Sequence, residues 1–239
     1  MKLRLDGITK SFGSLPVLGG VELEVAPGEF VAVIGPSGCG KSTLFNVVAG
    51  LERPDAGRVL VDGADATGDT TPFAYMPQQD LLFPWRSVLA NAALGLEVAG
   101  VPRREARARA RALFAPFGLA GFEDARPYEL SGGMRQRVAL LRTVVQDRPV
   151  LLLDEPLGAL DSLTRTGMQA WLADVRARYG WTVLMVTHDV REAAFLADRV
   201  VVLCARPAVV RREVEVDVPR PRGPAALAPL EEELLAALR

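Results

Sequence analysis

"EFVAVIGPSGCGKSTLFNVVAG", residues 29–50, decides the fold of this chain. An apolar run typical of a buried strand leads into a glycine-rich turn, and an apolar helix pattern follows directly. Gly35, Gly40 and the pair Lys41–Ser42 fit the order G-x-x-x-x-G-K-[ST] of a phosphate-binding loop. In such a loop the backbone N–H groups turn toward a β-phosphate, the lysine reaches the β- and γ-oxygens, and the hydroxyl can hold Mg²⁺. The stretch predicts a strand–loop–helix unit that binds nucleotide phosphates; the alternative is a glycine-rich turn that binds nothing.

Composition indicates a globular chain without a strongly basic surface. The 239 residues are 49% hydrophobic, enough to bury the core of one domain with a subdomain, and the formal net charge is −1 at pH 7. Because binding to a phosphate backbone usually needs a basic surface, we expect no nucleic-acid partner. Cys39 and Cys204 lack metal-ligand spacing, the N-terminus lacks a signal-peptide pattern, and no stretch approaches 18 uncharged apolar residues. We therefore expect a reducing, cytoplasmic location and no membrane span.

The order of strand and helix patterns predicts an α/β fold. Short strand patterns separated by Gly and Pro turns fill the first 65 residues, and a helical, Ala/Arg-rich insertion runs from 84 to 130. Buried-strand and helix patterns then alternate to about residue 203, which predicts a parallel sheet with crossover helices. From Arg206 the tail has a strand pattern to about Val218 and ends in a short helix.

A second stretch, "ELSGGMRQRVALLRT" at 129–143, also has the character of a phosphate site. Ser131 is placed to cap a helix whose first turn carries two bare glycines, so free N–H groups and the positive dipole end face outward. The alternative is an ordinary serine-capped helix. Geometry alone does not decide whether this end serves the same nucleotide as Lys41 or another.

Two strand exits carry candidate catalytic groups. In "VLLLDEP", Asp154 and Glu155 follow a buried strand; one carboxylate can hold Mg²⁺ or its waters and the other can accept a proton from an attacking water. The alternative is a solvated turn. His188 in "VLMVTHD" is the only histidine. Taken alone, it is interpreted as a loop histidine next to Asp189, which caps the following helix. Gln78 is an ordinary loop amide when taken alone, and chemistry does not separate it from Gln79.

Taken together, these motifs resemble the nucleotide-binding subunit of ABC transporters. The resemblance runs in order over residues 2–205 and rests on Gly35–Thr43, Gln78, the signature "LSGGMRQ" at 130–136, Leu151–Glu155, "GALD" at 158–161 and His188. It implies a P-loop NTPase with a RecA-like parallel sheet core, an antiparallel β subdomain and an inserted helical subdomain at about 84–145. Residues 1–205 then form the ATPase domain, and 206–239 a C-terminal extension without a domain of its own.

The resemblance also implies an ATP site with Mg²⁺. Phe12 falls where the family stacks an aromatic ring on adenine, although a core or turn aromatic is the alternative. Glu155 looks like the general base, Gln78 like the Q-loop residue and His188 like the switch histidine that contacts the γ-phosphate. Asp154, Ser42 and Gln78 would serve Mg²⁺. The residues that resemble the ATP-binding loop are Gly35, Pro36, Ser37, Gly38, Cys39, Gly40, Lys41, Ser42 and Thr43.

Further parts of the family pattern imply partners. Ser131, Gly132, Gly133 and Gln136 would meet ATP held by the opposite subunit, and Asp161 looks like the D-loop aspartate of the dimer interface. The resemblance thus implies a homodimer at the cytoplasmic face of the membrane, bound to a separate permease and supplied by an extracytoplasmic solute-binding protein. Candidate docking residues are Phe83, Pro84 and Trp85, with a buried turn as the alternative.

Three longer stretches of the sequence show a more specific resemblance, to importers. "QQDLLFPWRSVLANAALGLEVAG", "DEPLGALDSLTR" and "VVVLCARPAVV" look like the ATPases of nitrate, sulfonate and taurine importers, although Leu157, Cys204 and Ala208 depart from that pattern. The alternatives are an ABC ATPase that powers export or lipid movement, a regulatory module without turnover, or a soluble ABC ATPase acting on nucleic acid or ribosomes. The last class usually has long coiled coils or two tandem cassettes, which this sequence lacks.

Overall fold

A six-stranded sheet lies at the centre of the computed structural model, which describes residues 2–238. Five neighbouring strands are parallel, and the strand at one edge pairs antiparallel with the next. In their order across the sheet, the strands are β10 (Val210–Glu215), β9 (Arg199–Leu203), β3 (Phe30–Ile34), β8 (Val183–Val186), β7 (Val150–Asp154) and β6 (Phe73–Met76).

A second, antiparallel sheet covers one side of this core. Its strands, in spatial order, are β2 (Leu15–Val25), β1 (Leu3–Phe12), β4 (Ala56–Val61) and β5 (Ala64–Asp65). Along β1, Leu3 and Leu5 are buried while Arg4 between them is exposed, because alternate side chains of a strand point to opposite faces. The predicted antiparallel subdomain is confirmed.

The helices follow the predicted order. The first helix begins at Lys41, directly after the phosphate-loop sequence, and the inserted subdomain contains three short helices. The helices are α1 (Lys41–Val48), α2 (Val88–Ala92), α3 (Leu94–Val98), α4 (Arg103–Ala112), α5 (Gly132–Val144), α6 (Ser162–Tyr179), α7 (Val190–Leu196) and α8 (Pro224–Ala237), with a short 3₁₀ turn at Pro127–Glu129.

The central sheet is buried on both faces. Phe30, Ala32 and Ile34 of β3 pack with the helical insertion and the C-terminal tail. Val31 and Val33 point to the other face and pack with α1 and the antiparallel sheet. A parallel strand covered on both sides reads as a continuous apolar run, which is why "FVAVI" could be recognised in the sequence. The predicted α/β fold with a parallel core is confirmed.

The C-terminal tail packs into the hydrophobic core. Val214 and Val216, together with Leu227, Leu230 and Leu234 of α8, join the cluster that covers one face of the central sheet. Helix α8 packs against α7, and β10 pairs with β9. Within residues 2–238, each helix is too short or too polar to span the hydrocarbon core of a bilayer.

Candidate active site

Three adjacent parallel strands deliver the candidate catalytic residues to one edge of the sheet. The register aligns Val33 of β3 with Val186 of β8, and Val186 with Asp154 of β7. Because these strands run in the same direction, the loops that follow them open at the same edge, where ligands bind in open α/β sheets. The phosphate loop, Glu155 and His188 therefore converge.

The phosphate loop folds around the Lys41 ammonium. Its Nζ donates hydrogen bonds to the backbone oxygens of Gly35 at 2.8 Å and Pro36 at 3.0 Å, and the side chain is only 8% exposed. Gly40, which precedes α1, has φ +121°, a conformation that side-chain-bearing residues avoid. A Cβ at Gly40 would also lie 3.0 Å from Val17 Cγ1. Glycine is thus required here by both conformation and space.

A cleft of about 410 Å³ lies in front of this loop, within the size range of small-molecule sites. At one end the exposed ring of Phe12 closes the hairpin between β1 and β2. Leu15, Val17 and Arg206 line the cleft as well, and the sequence patterns did not identify these three residues. The remaining lining residues are Ser37, Gly38, Gly40, Lys41, Ser42, Thr43, Glu155 and His188.

Glu155, directly after β7, contacts side chains from the loops that follow the two neighbouring strands, β6 and β8. Its Oε2 accepts a hydrogen bond from Gln78 Nε2 at 2.7 Å, and its Oε1 lies 3.1 Å from His188 Nδ1. Its backbone has φ +45°, a left-handed conformation that is strained for a residue other than glycine. The three candidates from distant parts of the chain therefore meet around one carboxylate.

Asp154 occupies a drier position behind Glu155. Its Oδ2 accepts a hydrogen bond from the Tyr75 hydroxyl at 3.2 Å. Burial is the main cause that raises the pKa of Asp154, and the hydrogen bond from Tyr75 opposes it. Burial and the neighbouring carboxylate raise the pKa of Tyr75 to about 12, so the phenol stays protonated and donates. Tyr75 was not predicted, since β6 has only four residues.

The oxygen groups around the loop fit Mg²⁺. Magnesium prefers hard oxygen ligands and is commonly held by one carboxylate, a hydroxyl and substrate phosphates. The partly desolvated Asp154 carboxylate and the Ser42 hydroxyl supply such groups, and Asp154 and Lys41 lie close enough for their charges to interact. Gln78 donates its amide N–H to Glu155, so its amide oxygen is not used in that contact and could act as a ligand.

The loop that carries His188 is fixed by its neighbours. Asp189 caps α7 by accepting hydrogen bonds from the N–H groups of Arg191 at 2.9 Å and Glu192 at 3.3 Å. The Thr187 hydroxyl donates to Glu192 Oε2 at 2.5 Å and accepts from the Asp189 N–H at 3.1 Å. Buried Glu192 thus braces the residues on both sides of His188.

The signature segment forms the exposed start of α5. Ser131 caps this helix, since its Oγ accepts a hydrogen bond from Met134 N–H at 3.3 Å, and the predicted capped helix is confirmed. A Cβ on Gly133 would lie 2.8 Å from Thr164 Cγ2, so glycine permits close packing on α6. Within residues 2–238, Ser131 does not line the cleft that contains Lys41.

Gln136 does not share the surface of Ser131. It is 4% exposed on α5, and its Oε1 has no hydrogen-bond partner among the described residues. The resemblance implies that Gln136 meets ATP of the opposite subunit, whereas in the single subunit its side chain is buried.

Two further predicted positions lie on the surface. Asp161 caps α6, accepting hydrogen bonds from Leu163 and Thr164 N–H at 3.1 Å each. Trp85 is 70% exposed and stacks on Phe83, with ring centroids 5.1 Å apart. Buried Asn91 holds this turn: its Oδ1 accepts from Phe83 N–H at 2.7 Å, and its Nδ2 donates to Ser87 O at 3.1 Å. The buried-turn alternative for Trp85 is not what the structure shows.

Comparisons with known proteins agree with this arrangement. A family model described as "ABC transporter" matches residues 18–158. The aliphatic sulfonates import ATP-binding protein SsuB of Ralstonia nicotianae is 48% identical, covering 98% of this chain and 80% of that protein. The taurine import ATP-binding protein TauB of Pseudomonas entomophila is 43% identical, covering 90% of this chain and 84% of that protein.

Solved structures of ABC transporter cassettes have a similar fold. The dimeric structure of MJ0796, a bacterial ABC transporter cassette, matches with a TM-score of 0.75 and 31% identity, covering 91% of this chain and all of that one. A post-hydrolysis state of the same cassette, bound to ADP and Pi, matches with a TM-score of 0.74 and 31% identity, over the same share of both chains.

Proposed function

Because the chain belongs to the ABC transporter family and is an ABC ATPase, we propose that its hydrolysis of ATP powers the import of a small solute through a separate permease. The sulfonate and taurine import ATPases among its relatives support the direction of transport and the class of solute. The observation that carries the catalytic part is the contact of Glu155 with both Gln78 and His188 beside the phosphate loop.

These residues divide the work of hydrolysis. Lys41 and the loop N–H groups hold the β- and γ-phosphates, while Phe12 stacks on the base and Val17 lines the same cleft. Glu155 orients the attacking water and accepts its proton, and Gln78 and His188 hold the carboxylate in place. His188 also reaches the γ-phosphate. Ser42, Asp154 and Gln78 would hold Mg²⁺, which when bound would supply positive charge near the phosphates.

A homodimer completes the site. The exposed end of α5 at Ser131 offers free N–H groups and a positive dipole end, yet it lies outside the cleft of its own subunit. In a head-to-tail dimer this end, with Gly132, meets the γ-phosphate held by the partner, and Asp161 lies at the interface. The dimeric cassettes that the chain resembles support this arrangement.

The exposed Phe83–Trp85 pair is the proposed docking point for the permease. Large aromatic side chains are favoured at protein interfaces, and buried Asn91 keeps the pair in place before a partner arrives. We place the subunit at the cytoplasmic face of the membrane, with an extracytoplasmic solute-binding protein as a further component. Against a chromosome- or ribosome-directed role, the longest helix within residues 2–238 has 18 residues, too short for a long coiled coil.

Two measurements test the proposal. Glu155→Gln should bind ATP with unchanged affinity and lose nearly all turnover; hydrolysis at the wild-type rate would contradict the general-base role. For transport, the subunit is co-purified with its permease and reconstituted in vesicles with ATP on the side of the subunit. Import predicts that solute moves toward the ATP side, and movement away from it would establish export.

A further inference from the structure

The C-terminal tail carries two arginines that reach the end of α7. Arg222 is 8% exposed and donates from Nη1 to the backbone oxygens of Ala194 at 3.1 Å, Phe195 at 3.0 Å and Ala197 at 2.6 Å. Arg220 donates from Nη2 to Leu196 O at 2.6 Å. We call these two side chains the arginine cap.

The arginine cap satisfies a complete set of helix-end groups. The last four carbonyls of an α-helix have no partner inside the helix. In α7 these belong to residues 194–197, and each of the four accepts a hydrogen bond from Arg220 or Arg222. Positive charge at this end also interacts favourably with the helix dipole. Burial lowers the pKa of Arg222 to about 10, so the guanidinium stays charged at neutral pH.

Helix α7 needs such support. It has seven residues, far fewer than an isolated helix needs to be stable in water. Two further nitrogens of Arg222 donate within the tail, Nε to Val218 O at 2.9 Å and Nη2 to Val216 O at 3.2 Å. The guanidinium therefore links α7 to the tail backbone that directly follows β10. Helix α8 packs along α7, and Arg191 on α7 lies 3.6 Å from Glu231 on α8.

The other end of α7 sets the loop of His188. Asp189 caps the helix next to His188, and Glu192 on its first turn receives the hydrogen bond of Thr187. A shift of α7 would move both flanking residues and with them the imidazole, which lies 3.1 Å from Glu155. Helix α7 thus connects the arginine cap to the loop that carries His188.

We infer that the tail positions the catalytic loop: Arg222, with Arg220, holds α7 so that His188 stays aligned with Glu155. This inference rests on the proposed role of His188 in ATP hydrolysis. Arg222 acts through α7 and, within residues 2–238, does not line the cleft, so it is a positioning residue. Its loss is expected to lower kcat while leaving ATP binding by Lys41 and Phe12 unchanged.

The test compares Arg222→Gln with Arg212→Ala in the full-length chain. Arg212 lies in the same tail and pairs with Glu233 on the surface, so it is the matched control. We expect Arg222→Gln to lower kcat at least fivefold with the KM and Kd for ATP within twofold of wild type, and Arg212→Ala to change neither. An unchanged kcat in Arg222→Gln would overturn the inference.

A double variant separates positioning from general loss of structure. If Arg222 acts through His188, adding Arg222→Gln to His188→Ala should lower kcat no further, because the two changes affect one unit. A further fivefold loss in the His188→Ala background would contradict the inference. If His188→Ala itself keeps wild-type turnover, the proposed role of His188 fails instead.

A third measurement needs no variant that might unfold. Amide hydrogen exchange of the wild-type protein should show the C-terminal half of α7 protected to the same degree as β9. Exchange as fast as that of an exposed loop would show that the arginine cap does not hold the helix, and would also overturn the inference.

Discussion

Gln78 Nε2 donates a hydrogen bond to Oε2 of Glu155 across 2.7 Å, although 77 positions separate the two residues. The contact joins the loop after β6, which leads to the exposed Trp85, to the carboxylate at the end of β7. A change at the proposed docking surface can therefore reach the proposed general base through one short loop.

Replacement of Gln78 by Ala should slow turnover. Glu155 would lose a hydrogen bond that orients it, so we expect kcat to fall about tenfold with little change in KM for ATP, as for loss of roughly 1.5 kcal/mol of transition-state stabilisation. Gln79→Ala is the control, because exposed Gln79 lacks this contact. The sequence could not separate the two amides. Equal effects of both changes on kcat would show that the hydrogen bond from Gln78 to Glu155 has no specific role in catalysis.

Phe12→Ala should weaken nucleotide binding. Stacking of a base on an aromatic ring contributes about 1–3 kcal/mol, so the Kd for ATP should rise roughly fivefold or more, while Phe12→Tyr should keep affinity near wild type. Equilibrium titration with a fluorescent nucleotide measures both. Phe122→Ala, which removes an exposed ring outside the cleft, is the control. An unchanged Kd in Phe12→Ala would assign Phe12 to the hairpin alone.

Ser131→Arg should prevent dimerisation driven by ATP. A long, charged side chain would obstruct the exposed end of α5, whereas Ser131→Ala removes only the cap, at a cost of about 1 kcal/mol in stability. Sedimentation velocity of each variant in the Glu155→Gln background, with and without ATP, measures assembly. We expect Ser131→Arg to stay monomeric with intact ATP affinity and Ser131→Ala to dimerise. An ATP-dependent dimer of Ser131→Arg would argue against the composite site.

Trp85→Ala should weaken association with the permease. Removing an exposed anchor lowers interface affinity, whereas the ATP affinity of the isolated subunit should not change because Trp85 lies outside the cleft. Tyr128→Ala removes an equally exposed aromatic ring from the same helical insertion and is the matched control. Co-purification with the co-expressed permease measures the difference. Equal recovery of both variants would place the docking surface elsewhere.

Glu192 makes stability depend on pH in an unusual direction for a carboxyl group. Burial raises its pKa in the folded protein to about 7, while Asp189 raises it further and Thr187, Arg165 and His188 oppose the shift. Since the folded state holds this proton more tightly than the unfolded state, the free energy of unfolding should fall as pH rises from about 4.5 to 7. The loss from this group should be on the order of 3 kcal/mol and level off above about pH 7.

Urea denaturation of wild type and Glu192→Gln at several pH values measures this effect. We expect the difference in unfolding free energy between the two proteins to change over pH 4.5–7, with the variant gaining relative stability as pH rises. A difference that stays constant with pH would show that Glu192 has an ordinary pKa.

Local patterns predicted the parts of the molecule that depend on local sequence. The phosphate loop, the buried strands β3 and β7 and the capped start of α5 each lie within one continuous stretch, so spacing and residue type specify them. Phe12 lies at the end of a hairpin because β1 pairs with β2. This position was harder to predict from the sequence, because both strands extend beyond their apolar runs.

The missed residues act over long distances in the chain. Tyr75 meets Asp154, Arg206 returns to the phosphate loop, and Arg222 meets the end of α7 only because the sheet brings these segments together. Nothing in the sequence near Arg222 distinguishes it from the other arginines of the tail. For the same reason the burial of Gln136 was not foreseen, since a signature motif does not reveal which of its side chains face inward.

The left-handed backbone of Glu155 has a consequence for protein engineering. Glycine is the residue that adopts this conformation without strain, and relief of such strain is worth on the order of 1 kcal/mol. In Glu155→Gly this gain is opposed by the loss of the contacts with Gln78 and His188 and by the greater backbone entropy of glycine in the unfolded chain. Its melting temperature should therefore stay close to that of the wild type, although it has no carboxylate to accept a proton. A screen that ranks variants by melting temperature alone would not reject this inactive variant, so a library designed for thermal stability should leave residue 155 unchanged.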